Sequence, residues 1–93
     1  MNKKELVKTL STRLQVADAE VIRFIDSFES VISHTLSQGG EVSLIGFGKF
    51  HRKKQRARIG RHPQTGEAMA IPARYHPAFS PGKTLKDTVK KIV

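Results

Sequence analysis

The sequence predicts an α+β chain that folds as one half of an intertwined dimer, with a helical base, a short antiparallel sheet and two extended β-ribbon arms, one from each protomer. Three observations predict it. The first forty or so residues hold two apolar stretches at helical spacing, the middle of the chain alternates with a period of two, and the charge divides sharply between the halves. A chain of 93 residues makes one domain and buries too little of its own surface to be comfortably stable alone, so a second copy is expected.

In the first stretch Leu6, Val7, Leu10 and Leu14 fall on one helical face. Asn2 is placed to cap that helix, with Glu5 three residues on. A longer helix follows, which Asp18 is expected to cap. Its apolar stripe runs through Val21, Phe24, Ile25, Phe28, Val31, Ile32 and Leu36, and Gly39 and Gly40 end it. One chain offers too little other apolar material to cover both helices, so the long stripe reads as largely a dimer seam.

Beyond the helices, Val42 and Leu44 start a strand that can extend to Ile45, and Gly46-Phe47-Gly48 turns it. Over residues 49–59 the chain alternates, placing Arg52, Lys54, Arg56 and Arg58 on one face and Lys53, Gln55, Ala57 and Ile59 on the other. Turn residues fill Gly60-Arg61-His62-Pro63-Gln64-Thr65-Gly66. Residues 68–74 read as the returning strand, with Pro72 tolerable only where a ladder partner is missing. A lone hairpin is marginal in water, so this one is expected to project as a mobile arm that orders on its target. Ser80 is expected to cap a last helix, with Pro81 at its first helical position and Leu85, Val89 and Ile92 on its apolar face. The expected domain, 1–93, thus comprises a helical dimerisation body and first strand over 1–48, the sheet and arm over 49–76, and a C-terminal helix over 77–93.

The charge says what kind of partner to expect. Residues 1–48 hold five bases and six acids, a net charge of −1, whereas residues 49–93 hold twelve bases and two acids, a net of +10. A basic stripe on a ribbon suits a polyanion, and nucleic acid is the leading candidate. The chain has no cysteine, which removes disulfides and thiolate metal sites. His34, His51, His62 and His76 show no ligand spacing, no carboxylate pair or nucleophile triad is visible, and neither metal, cofactor nor catalysis is expected. No apolar run approaches membrane-spanning length and no secretory segment opens the chain, so a cytoplasmic protein with no membrane partner is expected.

Several segments together resemble the HU/IHF family of bacterial histone-like proteins nearly end to end. They are Met1-Asn2-Lys3, Val42-Ser43-Leu44-Ile45-Gly46-Phe47-Gly48-Lys49-Phe50, the arm tip from Gly60 to Gly66, Pro77-Ala78-Phe79, and Gly82-Lys83-Thr84-Leu85-Lys86. The resemblance implies a nucleoid-associated protein whose dimer encloses double-stranded DNA from the minor-groove side, with a proline at each arm tip wedged between base pairs. By motif match, Pro63 takes the wedge. Arg52, Lys53, Lys54, Arg56, Arg58, Arg61, His62 and Arg74 belong to the DNA-binding arm, Lys3, Lys83 and Lys86 hold phosphates on the body, and Phe28, Phe47, Phe50 and Phe79 lie in the dimer core. His62 departs from the family's Asn, so the contacts beside the wedge differ and can respond to pH.

The first functional reading is an HU-like homodimer that bends and compacts DNA with little sequence preference and favours bent, nicked or junction DNA. An IHF-like sequence-selective factor, which could pair with a paralogue as a heterodimer, is the alternative. A structural RNA-binding protein is a third, disfavoured by the dimer-seam stripe and by the lack of exposed aromatics for stacking unpaired bases.

Overall fold

A computed structural model describes residues 1–90, and the expected place of Ile92 on the last helix lies outside them. The elements run α1 Lys3–Leu14, α2 Asp18–Ser37, β1 Val42–Leu44, β2 Gly48–Gln55, β3 Arg58–Arg61, β4 Ala68–Ile71, β5 Arg74–Pro81 and α3 Lys83–Val89. The chain divides into two compact units, the first covering residues 1–34 and the second beginning at Thr35.

In the first unit the side chain of Asn2 accepts a hydrogen bond from the Glu5 N–H at 2.9 Å, satisfying one of the free donors at the start of α1. Gln15 closes α1 in the left-handed region (φ 57°), donating its N–H to the Ser11 carbonyl. The expected capping of α2 by Asp18 is corrected: Asp18 is the first helical residue, and the Ala17 carbonyl accepts from the N–H groups of Glu20 and Val21. Asp18 instead lies 3.9 Å from the Lys8 ammonium, where its charge also favours the helix N-terminus. Val7 on α1 and Val21 on α2 are buried, and Ser11 is buried with its hydroxyl satisfied by the Lys8 carbonyl.

The stripe on α2 splits in two. Val21 and Leu36 are buried and Ile25 and Ile32 half-buried, while Phe24 and Val31 remain 67% and 60% exposed and Phe28 stacks on Phe24 with centroids 6.1 Å apart. Spacings of four and three residues put Phe24, Phe28 and Val31 on one helix face. Gly39 (φ 84°) terminates the helix as expected, its N–H returning to the Leu36 carbonyl.

In the second unit β1, β2 and β5 form an antiparallel sheet in the order β1-β2-β5, and β3 pairs with β4 in a separate two-stranded ribbon. Phe79 packs against Phe50 and Phe47 with centroids 4.8 and 5.7 Å away. Gly48 is buried because the Phe79 ring and the Ser80 carbonyl occupy the space a side chain would need. The last helix starts later than expected: β5 runs through Pro81, Gly82 takes the N-cap position without a side-chain bond, and Ser80 stays in the strand. The Gly46 carbonyl accepts the Leu85 N–H and the Phe47 carbonyl accepts the Gly82 N–H, fastening the start of α3 to the β1–β2 turn.

Candidate nucleic-acid interface

Register decides which bases share a face, because residues directly opposite in an antiparallel pair point the same way. One face of the β2–β5 pair carries Phe50 with Phe79, Arg52 with Pro77 and Lys54 with Tyr75. The other carries Lys49 with Ser80, His51 with Ala78, Lys53 with His76 and Gln55 with Arg74. The first carries aromatic rings at both ends, Phe50 with Phe79 at one and Tyr75 at the other, and Arg52 between them is half-buried with its guanidinium 3.9 Å from the Tyr75 ring centroid. The second is polar apart from Ala78. On it His51 Nε2 and Ser80 Oγ share a 2.8 Å hydrogen bond, and Arg74 Nε donates to Gln55 Oε1 at 3.3 Å.

Sequence alternation separates Arg52 and Lys54 from Lys53 correctly, and the same period of two places Lys49 and His51 on the face of Lys53. Nothing in the spacing of one strand pairs it with residues more than twenty positions away, so only a hairpin register would have found His76.

The strand expected to run unbroken through Arg52 to Arg58 is corrected as well. The ladder stops after Gln55↔Arg74 and resumes at Arg58↔Ile71, leaving Arg56 and Ala57 on one strand and Pro72 and Ala73 on the other. The gap has equal length on both sides, so no residue is inserted. It falls where Pro72 has no N–H to give the ladder. Arg56 sits in this joint, and Arg58 belongs to the outer ribbon.

In the outer ribbon Gly60 leaves room for Ile71, whose Cδ1 would lie 2.7 Å from a Cβ at that position. Gly60 and Arg61 are strand residues, so the tip proper is shorter than the Gly60–Gly66 segment expected. It is closed by the His62 N–H to the Glu67 carbonyl and the Gly66 N–H to the His62 carbonyl, both at 2.8 Å. Gly66 takes φ 73°, which a side chain would resist, and Pro63 is exposed in the turn that this glycine closes. Arg61 Nη1 donates to the Gly66 carbonyl at 3.0 Å, and the Gln64 N–H donates to His62 Nδ1 at 3.2 Å. Proline is therefore the exposed apolar ring of a turn with several internal bonds.

The body cations are placed less uniformly. Lys3 lies 2.6 Å from Asp26 and 3.6 Å from Glu29. Its ammonium is held above the ordinary lysine value, chiefly by the hydrogen bond to Asp26, against a smaller desolvation, with the attraction of both carboxylates adding to it. Lys83 on α3 is 90% exposed, with Asp87 one turn on at 3.9 Å, and Lys86 is exposed on the same helix. Among the described residues no group of three or more His, Cys, Asp or Glu could hold a metal ion, and no helix is long and apolar enough to cross a membrane.

A helical pair, a three-stranded sheet and a jointed basic ribbon define the α+β fold of the HU/IHF structural class. A profile of the family described as bacterial DNA-binding protein matches residues 1–90, and the chain belongs to that family. It is 44% identical over 90 residues to the DNA-binding protein HU of Geobacillus stearothermophilus, covering 97% of this chain and 100% of that one. It is 42% identical to DNA-binding protein HU-1 of Halalkalibacterium halodurans, covering 96% and 99% of the two chains. Among solved structures, HU from Anabaena in a cocrystal with DNA superimposes with a TM-score of 0.91 at 38% identity, over 96% of this chain and 97% of that chain. HU from Thermotoga maritima gives a TM-score of 0.68 at 27% identity, over 96% and 98%.

Proposed function

We propose that this protein is an architectural, non-enzymatic DNA-binding protein of the nucleoid, which as a dimer bends duplex DNA from the minor-groove side with little sequence preference. The observation that carries the reading is the jointed basic ribbon tipped by exposed Pro63, in a chain so similar to HU from Anabaena, which was crystallised with DNA.

Dimerisation follows from what one chain leaves open. Only Val7, Val21 and Leu36 are buried apolar residues among those described, while Phe24, Val31 and Phe47 stay 67%, 60% and 48% exposed. Apolar surface of that extent is covered by association in most soluble proteins. A second copy supplies the matching face and, with it, a second arm.

Bending a site of 20–30 base pairs costs about 1–6 kcal/mol on elastic estimates. Unstacking one step adds about a few kcal/mol. Phosphate contacts away from the kink offset these terms, which gives Lys83, Lys86 and the polar sheet face a mechanical role beside the arm residues. Phosphates carry no sequence information, so discrimination falls to deformability, and DNA that is already bent, nicked or branched avoids part of the penalty.

The test is binding to intact, nicked and four-way-junction DNA at two salt concentrations, with end-to-end distance followed by energy transfer. The reading expects a dimer that shortens linear duplexes and prefers the nicked and branched forms. A stable monomer, or saturation without shortening, overturns it. Discrete footprints on random genomic fragments would instead favour the IHF-like alternative, and preferential competition by structured RNA the RNA-binding one.

A further inference from the structure

The turn at the arm tip holds Pro63 inside a ring closed by a histidine. The Gln64 N–H donates to His62 Nδ1 at 3.2 Å, so the imidazole reaches across the proline and fixes the residue on its far side. The bond has the form of the local side-chain-to-backbone turn that short polar side chains make two residues on, with Nδ1 as the acceptor. His62 is half-buried while Pro63 and Gln64 are exposed. The histidine is therefore less exposed than the proline its ring spans.

An acceptor at Nδ1 exists only in the neutral imidazole, whose proton must then lie on Nε2. Imidazole changes charge between about pH 5 and 8, and on protonation both ring nitrogens become donors. The Gln64 N–H would then face another donor. The other tip bonds, from the Gly66 N–H to the His62 carbonyl, from the His62 N–H to the Glu67 carbonyl, from Arg61 Nη1 to the Gly66 carbonyl and from the Glu67 N–H to Thr65 Oγ1, do not involve the ring. The charged groups at the tip are Arg61, whose guanidinium is engaged with the Gly66 carbonyl on the same loop, and Glu67 across the ribbon.

We infer that His62 is a positioning residue for Pro63: its neutral ring braces the proline for insertion, and its protonated ring releases the brace while adding a cation beside the DNA backbone. Affinity and bending then move in opposite directions with pH. As pH falls the salt dependence of binding steepens by about one per arm. The bend produced by each bound dimer decreases. Sequence alone flags the histidine as titratable, but the acceptor role that couples titration to the proline comes from the folded turn. The inference rests on the arm reading above, and the experiment separates the two.

The decisive variant is His62→Asn, which keeps a side-chain acceptor within reach of the Gln64 N–H and does not titrate. The other three histidines are present in both proteins, so their contributions cancel in the comparison. In the DNA-free protein, the Gln64 amide resonance of the wild type should shift in step with the His62 ring signals, and the neutral ring should show the Nε2–H tautomer. A Gln64 amide unmoved by ring titration overturns the brace whatever DNA does. With a labelled duplex, wild-type bending at saturation should fall from pH 8 to pH 5.5 or so while the His62→Asn protein stays level. Parallel pH profiles for the two proteins overturn the inference and leave the DNA-bending function standing. If neither protein bends DNA at any pH, the arm reading itself fails and this inference falls with it.

Discussion

The Lys3 ammonium lies 2.6 Å from the Asp26 carboxylate and 3.6 Å from Glu29, so a cation expected to hold phosphate is already engaged by two acids of α2. For Lys3 to serve DNA, phosphate must replace those carboxylates. Asp26→Asn removes the stronger competitor and should tighten DNA binding a few-fold at low salt, with the gain fading as added salt screens both interactions. Unchanged affinity would place Lys3 outside the contact surface. The pH dependence has a definite sign. Because the lysine is raised by its hydrogen bond to Asp26, the stability linked to its charge is fully present at neutral pH and is lost as pH rises through the raised lysine value.

Pro63 has two readings with different consequences. As a turn former alone, it stabilises by limiting the unfolded chain, and Pro63→Ala would lose about 0.4–1 kcal/mol of stability with bending intact. As a wedge, it supplies the apolar contact that replaces base stacking. Pro63→Ala should then reduce energy transfer between labelled DNA ends at saturation by a larger factor than it reduces affinity, because phosphate contacts remain. Equal bending by both proteins would leave only the turn-forming role.

The exposed lysines of α3 test the electrostatic side of the same mechanism. Lys83 is 90% exposed and its partner Asp87 is 3.9 Å away, so little folding energy depends on it. Lys83→Ala should weaken binding to all duplexes alike and lower the slope of log K against log salt by about one for each phosphate left without its cation. Weakening confined to one sequence would mean that Lys83 reads bases.

The parts of this fold legible in the sequence are those set by neighbours along the chain. Asn2 and Gly39 mark helix ends through local hydrogen bonds and backbone conformation, and period-two alternation separates Arg52 from Lys53. The parts missed are set by partners distant in sequence. Ser80 resembles a helix cap when only Pro81 and Gly82 are considered, yet His51, brought alongside by the β2–β5 register, takes its hydroxyl and the strand continues. Pro72 warns of a missing ladder partner, but that its gap also takes Arg56 out of the ladder depends on which residue lies opposite. Phe24 and Phe28 belong to one apolar stripe with Val21 until burial divides them, since hydrophobic periodicity does not distinguish a chain's own core from a surface meant for another copy.

Gly48 tests the packing that anchors the arm's root. A Cβ there would lie 2.6 Å from Phe79 Cε1 and 2.8 Å from the Ser80 carbonyl oxygen, and it would also press on Cζ of the same ring. The ring has little freedom to retreat, because Phe50 and Phe47 pack on it and β5 is paired to β2 on both sides of Phe79. Gly48→Ala should therefore behave as an overpacking change and cost about 1–3 kcal/mol. At fixed protein concentration this should appear as a lower urea midpoint with unchanged slope, since the same surface is exposed on unfolding. A midpoint equal to the wild type's would show that β2 and β5 can separate at this point without penalty, and the aromatic cluster would then not be what holds the base of the ribbon in place.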